Sequence, residues 1–206
     1  MSEQSFYITD YCTIKEGEVI LNGAVVFRMN TEESEDVMSF LKRIYKEQAV
    51  EYPKFFKMDR LSKLAFIGAE LLLKPTTHSQ PQYKTALYLS NATSSLDTDL
   101  KHSASILDEQ AYYPSPAVFV YTLANICLAE ISIRHQLQGE NAFFLAPAYD
   151  AKTMHAYATY ALQTNRAERI ICGWVDYLEE EYQLVLYLVE KQGQVPHTIE
   201  SIKHLF

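Results

Sequence analysis

The sequence predicts an α/β domain, and three observations lead there. Short apolar runs bounded by turn residues alternate along the chain with segments of helical rhythm. The stretch 116–137 is apolar on nearly all sides until Glu130, which predicts a central helix buried at least through its first half. Two β-rich runs, 167–174 and 182–189, flank an acidic turn at 176–181 and read as an antiparallel hairpin that adds an extra C-terminal strand. With 206 residues, 48% of them hydrophobic and 21% charged, the chain can bury a sizeable core, so one domain over 1–206 is expected.

The elements follow in order. Residues 5–9 are apolar enough for a buried strand, and 18–28 is two β-rich runs broken by Asn22-Gly23, a hairpin signal. Residues 31–46 read as a helix, with Asn30 as N-cap and Glu33 three residues on. Residues 60–73 place Leu61, Leu64, Ala65, Ile67, Leu71 and Leu72 at helical spacing, and Pro75 ends that helix. A polar turn at 76–82 leads to a strand at 83–90, and the serine-rich 92–111 reads as a surface excursion with a weak helical pattern. Pro116 suits the first turn of the central helix, and Gly139 its C-terminal stop. A short strand at 142–145, a helix at 150–165 capped by Asp150, and a final helix at 199–205 complete the reading.

Composition narrows the function classes. The formal charge of −8 argues against nucleic-acid binding, which needs a concentrated Lys/Arg surface. No run of eighteen apolar residues is present, and the opening MSEQSFYITDYC lacks a basic segment followed by an apolar one, so a cytoplasmic protein without membrane attachment is expected. Cys12, Cys127 and Cys172 are widely spaced and odd in number, which predicts neither a disulfide framework nor a metal site, and no cofactor is expected. Cys127 and Cys172 fit core packing in a helix and a strand; the fifteen tyrosines lack basic interleaving and read as packing and interface residues.

Several segments match, in the same order, stretches of one enzyme family. Residues 56–74, FKMDRLSKLAFIGAELLLK, are similar to the stretch in which Met-Asp-Arg leads into an alanine-rich helix. TALYLSN at 85–91 resembles a strand ending in a small-residue loop, and SPAVFVYTLANICLAEISIRHQLQGEN at 115–141 resembles the central helix with its Gly-x-Asn exit. These segments resemble the β-ketoacyl-ACP synthases, condensing enzymes of the thiolase-like fold, in which the nucleophilic cysteine follows the exit glycine by about nine residues, at a tight strand-to-helix turn. Counting from Gly139 reaches Ala148. RIICG at 169–173 resembles the strand after the nucleophile helix, and counting back about twenty-five residues from its glycine reaches the same position. A gapped alternative brings His155 onto a histidine one turn into that helix and puts Asp150 at the nucleophile position; neither Ala nor Asp can form an acyl thioester.

The resemblance covers most of residues 1–175 and implies the N-terminal, thiolase-like half of a ketosynthase, a central mixed sheet of about five strands with helices on both faces, since the family's catalytic histidines and lysine belong to a second half. The sequence departs from the pattern at 18–28, where a hairpin replaces glycine-rich turns. The expected function is a non-catalytic ketosynthase-like subunit pairing with an active, full-length ketosynthase on acyl-carrier-protein-bound chains, closest to the short ketosynthase-like proteins of bacterial aryl polyene and flexirubin-type pigment synthesis. Asn125, Phe143, Leu145, Ala148 and His155 are the candidate partner-facing residues, and Lys54, Lys57, Arg60 and Lys63 the candidate carrier-protein patch or else the solvated start of a helix. Two alternatives stay open: a small acyltransferase or thioesterase that recruits a thiol such as Cys172, and a homodimer that binds acyl carrier protein without chemistry.

Overall fold

Eight strands form one mixed sheet in the computed structural model, which describes residues 5–30, 34–73, 81–107 and 113–206. The strands are β1 (Tyr7–Lys15), β2 (Glu18–Leu21), β3 (Ala24–Arg28), β4 (Thr85–Asn91), β5 (Asn141–Leu145), β6 (Arg169–Leu178), β7 (Glu181–Glu190) and β8 (Val195–Pro196). Their order is β3-β2-β1-β7-β6-β4-β5, with β8 paired to β1. β4 runs parallel to both β5 and β6, whereas β1, β2, β3, β6 and β7 are joined by antiparallel pairings. The helices are α1 (Val37–Glu47), α2 (Arg60–Leu73), α3 (Leu96–Leu107), α4 (Pro116–Val120), α5 (Ile126–His135), α6 (Ala151–Gln163) and α7 (Ile199–Lys203), with a 3-10 turn at Pro53–Lys57.

The expected mixed sheet covered on both faces is present, and the alternation of side chains in β6 and β7 builds it. Ile171, Val175, Leu184, Leu186 and Leu188 join the core under α1, α2 and α5. Ile170, Cys172, Tyr187 and Val189 point the other way, into a second core under α6 and α7. The sheet has eight strands where about five were expected. The expected C-terminal hairpin is present, and its second strand, β7, lies between β1 and β6 at the middle of the sheet. Its ten-residue register with β6 and its long pairing with β1 enclose it along both edges.

Local signals are realised where side chains act on their own backbone. Asn22 and Gly23 take φ of +51° and +84°, the left-handed pair a two-residue hairpin needs. Ser115 accepts from the Val118 amide with Pro116 following, and Asp150 accepts from the amides of Lys152 and Thr153. Asp36 caps α1 by accepting from Ser39, so that helix starts later than expected; the Glu33 half of the expected capping box, like the helix stop at Pro75, lies outside the described residues. The strand expected at 5–9 extends to Lys15, and the excursion after β4 contains the twelve-residue helix α3, with Asp97 and Asp99 in its first turn.

The central helix differs most from expectation. It is two helices, α4 and α5, separated by 121–125, and the burial is reversed: Phe119 is 59%, Val120 47% and Leu123 57% exposed, while Cys127, Leu128 and Ile131 of α5 are buried against α2. Gly139 does not stop the helix. Gln136 does so at φ +54°, and Gly139 is required by a close approach, since a Cβ there would lie 2.3 Å from the Thr85 carbonyl oxygen.

Candidate functional site

β5 ends at Leu145 and α6 begins at Ala151, so Ala148 occupies the turn between a parallel strand and a helix N-terminus. That turn is held by the Ala146 amide, which donates to the Asn91 carbonyl at the end of β4 (3.0 Å), and by the Asp150 cap. A side chain placed there would feel the positive end of the α6 dipole, the environment that lowers a thiol's pKa. Ala148 brings only a methyl group. It is exposed and lines a groove of about 410 Å³ with Pro147, Tyr149, Trp174, Lys203 and Phe206 among its neighbours.

Aromatic packing fills one side of that groove. The Tyr149 ring stacks on Phe206 at 4.2 Å and meets Trp174 edge-on at 6.2 Å. Behind it, the Tyr149 and Tyr187 hydroxyls share a hydrogen bond of 2.8 Å. Burial pushes both phenols well above their ordinary value, so they act as neutral hydrogen-bonding groups and not as bases.

The three thiols are sealed in the core. Burial raises the Cys172 and Cys127 thiols above their ordinary 9.0 and Cys12 to about 12. An acyltransferase or thioesterase based on Cys172 would need an exposed, acidic thiol, and a fully buried one in the middle of the sheet cannot meet substrate. A thiol-labelling reagent should therefore leave all three cysteines unmodified in the native chain and label three after denaturation; a fast-reacting native thiol would restore the recruited-thiol reading.

His155 sits one turn into α6, where its Nε2 lies 2.9 Å from the His197 carbonyl oxygen and its ring stacks on His197 at 4.8 Å. Burial, helped by the neighbouring His155, pushes His197 down to about 3, so it is neutral at physiological pH. The pair fixes α6 to the segment that enters α7.

The remaining candidate partner-facing residues separate into groups. Asn125, Phe143 and Leu145 meet, together with Leu123 and Leu128, along a groove of about 430 Å³ beside β5. β5 is the terminal strand of the sheet, so beyond the pairing with β4 its other edge has no strand among the described residues. Leu145 is 63% exposed there. Ala148 and His155 do not line that groove.

The four-residue basic patch is also divided. Lys54 turns away, its Nζ 2.8 Å from the buried Glu130 carboxylate. Lys57, Arg60 and Lys63 line a different groove, which Lys42 and Lys101 complete. Those two residues were missed by the sequence reading because they come from α1 and α3, and nothing in their own segments marks them.

A buried charged cluster between α2 and α5 was missed too. Glu70 is 4% exposed and takes a bidentate pair from Arg134, Nε to Oε1 at 2.7 Å and Nη2 to Oε2 at 3.0 Å, with His135 Nε2 3.0 Å from Oε1. Burial alone would raise the Glu70 carboxyl, but the contacts from His135 and Arg134 outweigh it and hold the group below its ordinary 4.5. Nearby, Tyr121 donates to Glu130 at 2.9 Å. Single glutamates inside otherwise apolar helical runs were the available signal. Among the described residues no group of three His, Cys, Asp or Glu side chains can hold a metal ion, and no helix is long and apolar enough to cross a membrane.

No protein-family model matches the sequence, and no curated protein is similar to it. Solved structures are similar in fold. The ishigamide ketosynthase/chain length factor superposes with a TM-score of 0.69 at 16% identity, over 90% of this chain and 62% of that one. A chain in the complex of the ketosynthase ApeO with its chain length factor ApeC from Xenorhabdus doucetiae gives 0.59 at 13% identity, over 98% of this chain and 90% of that one. A β-ketoacyl synthase from Burkholderia phymatum STM815 gives 0.61 at 10% identity, with 59% of its length covered. The present chain thus spans about 62% of the ishigamide protein and nearly the whole of one chain in the Xenorhabdus complex. Strand order, helical layers and these superpositions together establish that the chain has the thiolase-like ketosynthase fold.

Proposed function

We propose that this chain is a non-catalytic ketosynthase-like subunit, a single domain over 1–206 that acts in the cytoplasm by pairing with an active ketosynthase working on carrier-protein-bound chains, in a pathway of the aryl polyene kind. One observation carries the proposal: the strand-to-helix turn where the fold would present a nucleophile is intact, with Ala148 in it, and every cysteine is buried elsewhere. A thioester cannot form on a methyl group, so what the fold retains is a surface and not a reaction.

The surface that suits pairing is the β5 edge with the apolar groove of Leu123, Phe143 and Leu145 beside it. A terminal strand with no further strand beside it among the described residues, flanked by exposed apolar side chains, is a site for another chain to add to. The match over 90% of a chain in a ketosynthase–chain length factor complex supports a protein of this size acting in company with a ketosynthase.

Co-expression with a full-length ketosynthase of the same genetic neighbourhood tests the reading. The expected result is a one-to-one assembly by native mass measurement and a ketosynthase that is less soluble or less active when made alone. A chain that forms only a homodimer, with a ketosynthase indifferent to it, overturns the accessory-subunit reading in favour of carrier binding by a homodimer.

A further inference from the structure

The groove lined by Lys42, Lys57, Arg60, Lys63 and Lys101 does not share a residue with the Ala148 turn or the β5 edge. It lies between α1, the start of α2, α3 and α4, and holds about 450 Å³, within the range of small-molecule sites. Five cations from three helices and the turn before α2 converge there on a chain whose net charge is −8.

Those charges are only partly neutralised from within, by two carboxylates against five cations. Asp97 pairs with Arg60 at 3.2 Å, and the second carboxylate of the groove, Asp59, is committed to the Ser62 amide and the Thr98 hydroxyl at 2.9 Å each. Lys63 gives one proton to the Met58 carbonyl at 2.6 Å, and Lys42, Lys57 and Lys101 make no ion pair among the described residues. Burial, then repulsion from Lys42, Lys101 and Arg60 against the pull of Asp59, lowers the pKa of Lys63, as expected of like charges gathered where water is reduced. Such an arrangement works against the fold and is relieved by a bound anion.

The walls say what kind of anion. Met38, Met58, Val118 and the Tyr121 ring supply apolar surface beneath the cationic rim. A bare phosphate, or a partner offering charge alone, would leave that apolar surface wet. We propose that the groove binds a small amphipathic anion, an aliphatic body carrying one phosphate or carboxylate head. This inference does not rest on the pairing proposed above, because it concerns the isolated chain.

Isothermal titration of the purified chain with octyl phosphate, octanoate, octanol and inorganic phosphate tests it. The expected result is one site per chain for octyl phosphate or octanoate, with octanol and inorganic phosphate each at least tenfold weaker. The two binding probes also separate a phosphate head from a carboxylate head. Lys42→Glu with Lys101→Glu changes two exposed side chains, so the fold should persist, and affinity should fall at least tenfold, with rising salt weakening the wild type in parallel. No heat with either amphiphile overturns the proposal. So does equal binding of inorganic phosphate, which would leave a plain anion site, and so does charge-dependent binding of an acidic carrier protein with no response to the amphiphiles, which would make the patch a protein dock.

Discussion

Arg134→Met is expected to destabilise the chain by about 3–5 kcal/mol, because it removes the bidentate partner of a carboxylate held in the core between α2 and α5. Glu70 would keep only His135, and the stacking of the Arg134 guanidinium over Tyr52, 5.8 Å from the ring centre, would be lost as well. Urea unfolding of the wild type, Arg134→Met and the double variant Glu70→Leu with Arg134→Met measures it. The double variant should recover most of the loss, since replacing a buried pair by apolar groups of similar size is often neutral. The pH dependence has a definite sign. Glu70 titrates below its ordinary 4.5 in the folded chain, so its stabilising contribution is complete above that value and is lost as the pH falls through the lowered folded one. The gap between wild type and Arg134→Met should therefore narrow in acid. A single-variant loss under about 1 kcal/mol, typical of an exposed pair, would mean that the cluster is open to water.

Leu123→Asp combined with Leu145→Asp should abolish the proposed assembly with a ketosynthase while leaving the monomer folded. Both side chains are more than half exposed, at 57% and 63%, so charging them is cheap in the free chain. In a complex through the β5 edge each carboxylate would be buried without a partner, and a loss of at least 2 kcal/mol, about thirtyfold in affinity, is the expected scale. The control lies at the opposite edge of the sheet. Val25→Asp with Val26→Asp on β3, both 41% exposed, should leave the assembly intact. Size-exclusion chromatography with mass detection reads both. An assembly that survives the β5 substitutions and fails with those on β3 would transfer the pairing surface to the other edge.

Much of the fold was legible because its signals are local. Asn22-Gly23 specifies its own turn, Ser115 and Asp150 cap the helices that follow them, and the Leu/Val/Tyr run of β7 has the composition of a buried strand. Ala148, singled out by spacing, lies in the turn between β5 and α6. Asp150, one of the weighed alternatives at that position, acts as the helix cap and its carboxyl is lowered chiefly by the Thr153 hydroxyl and amide.

What failed was decided at a distance. The run 116–137 looks uniformly apolar, and apolarity alone does not say whether a segment faces a core or an open surface; the contacts of α5 with α2 bury one half and leave α4 outside. Gly139 looked like a helix stop because its reason lies 54 positions away, in the Thr85 carbonyl it must pass. Lys54 left the basic patch for Glu130, and Lys42 and Lys101 joined it from helices that only the packed structure brings together. The sequence by itself therefore determined the types of most elements, the caps at Ser115 and Asp150 and the Asn22-Gly23 hairpin, all set within a few residues by backbone geometry and side-chain chemistry. Only the tertiary structure decided the order of the sheet, the buried Glu70–Arg134 pair and the cationic groove, because each depends on long-range contacts that no local pattern records.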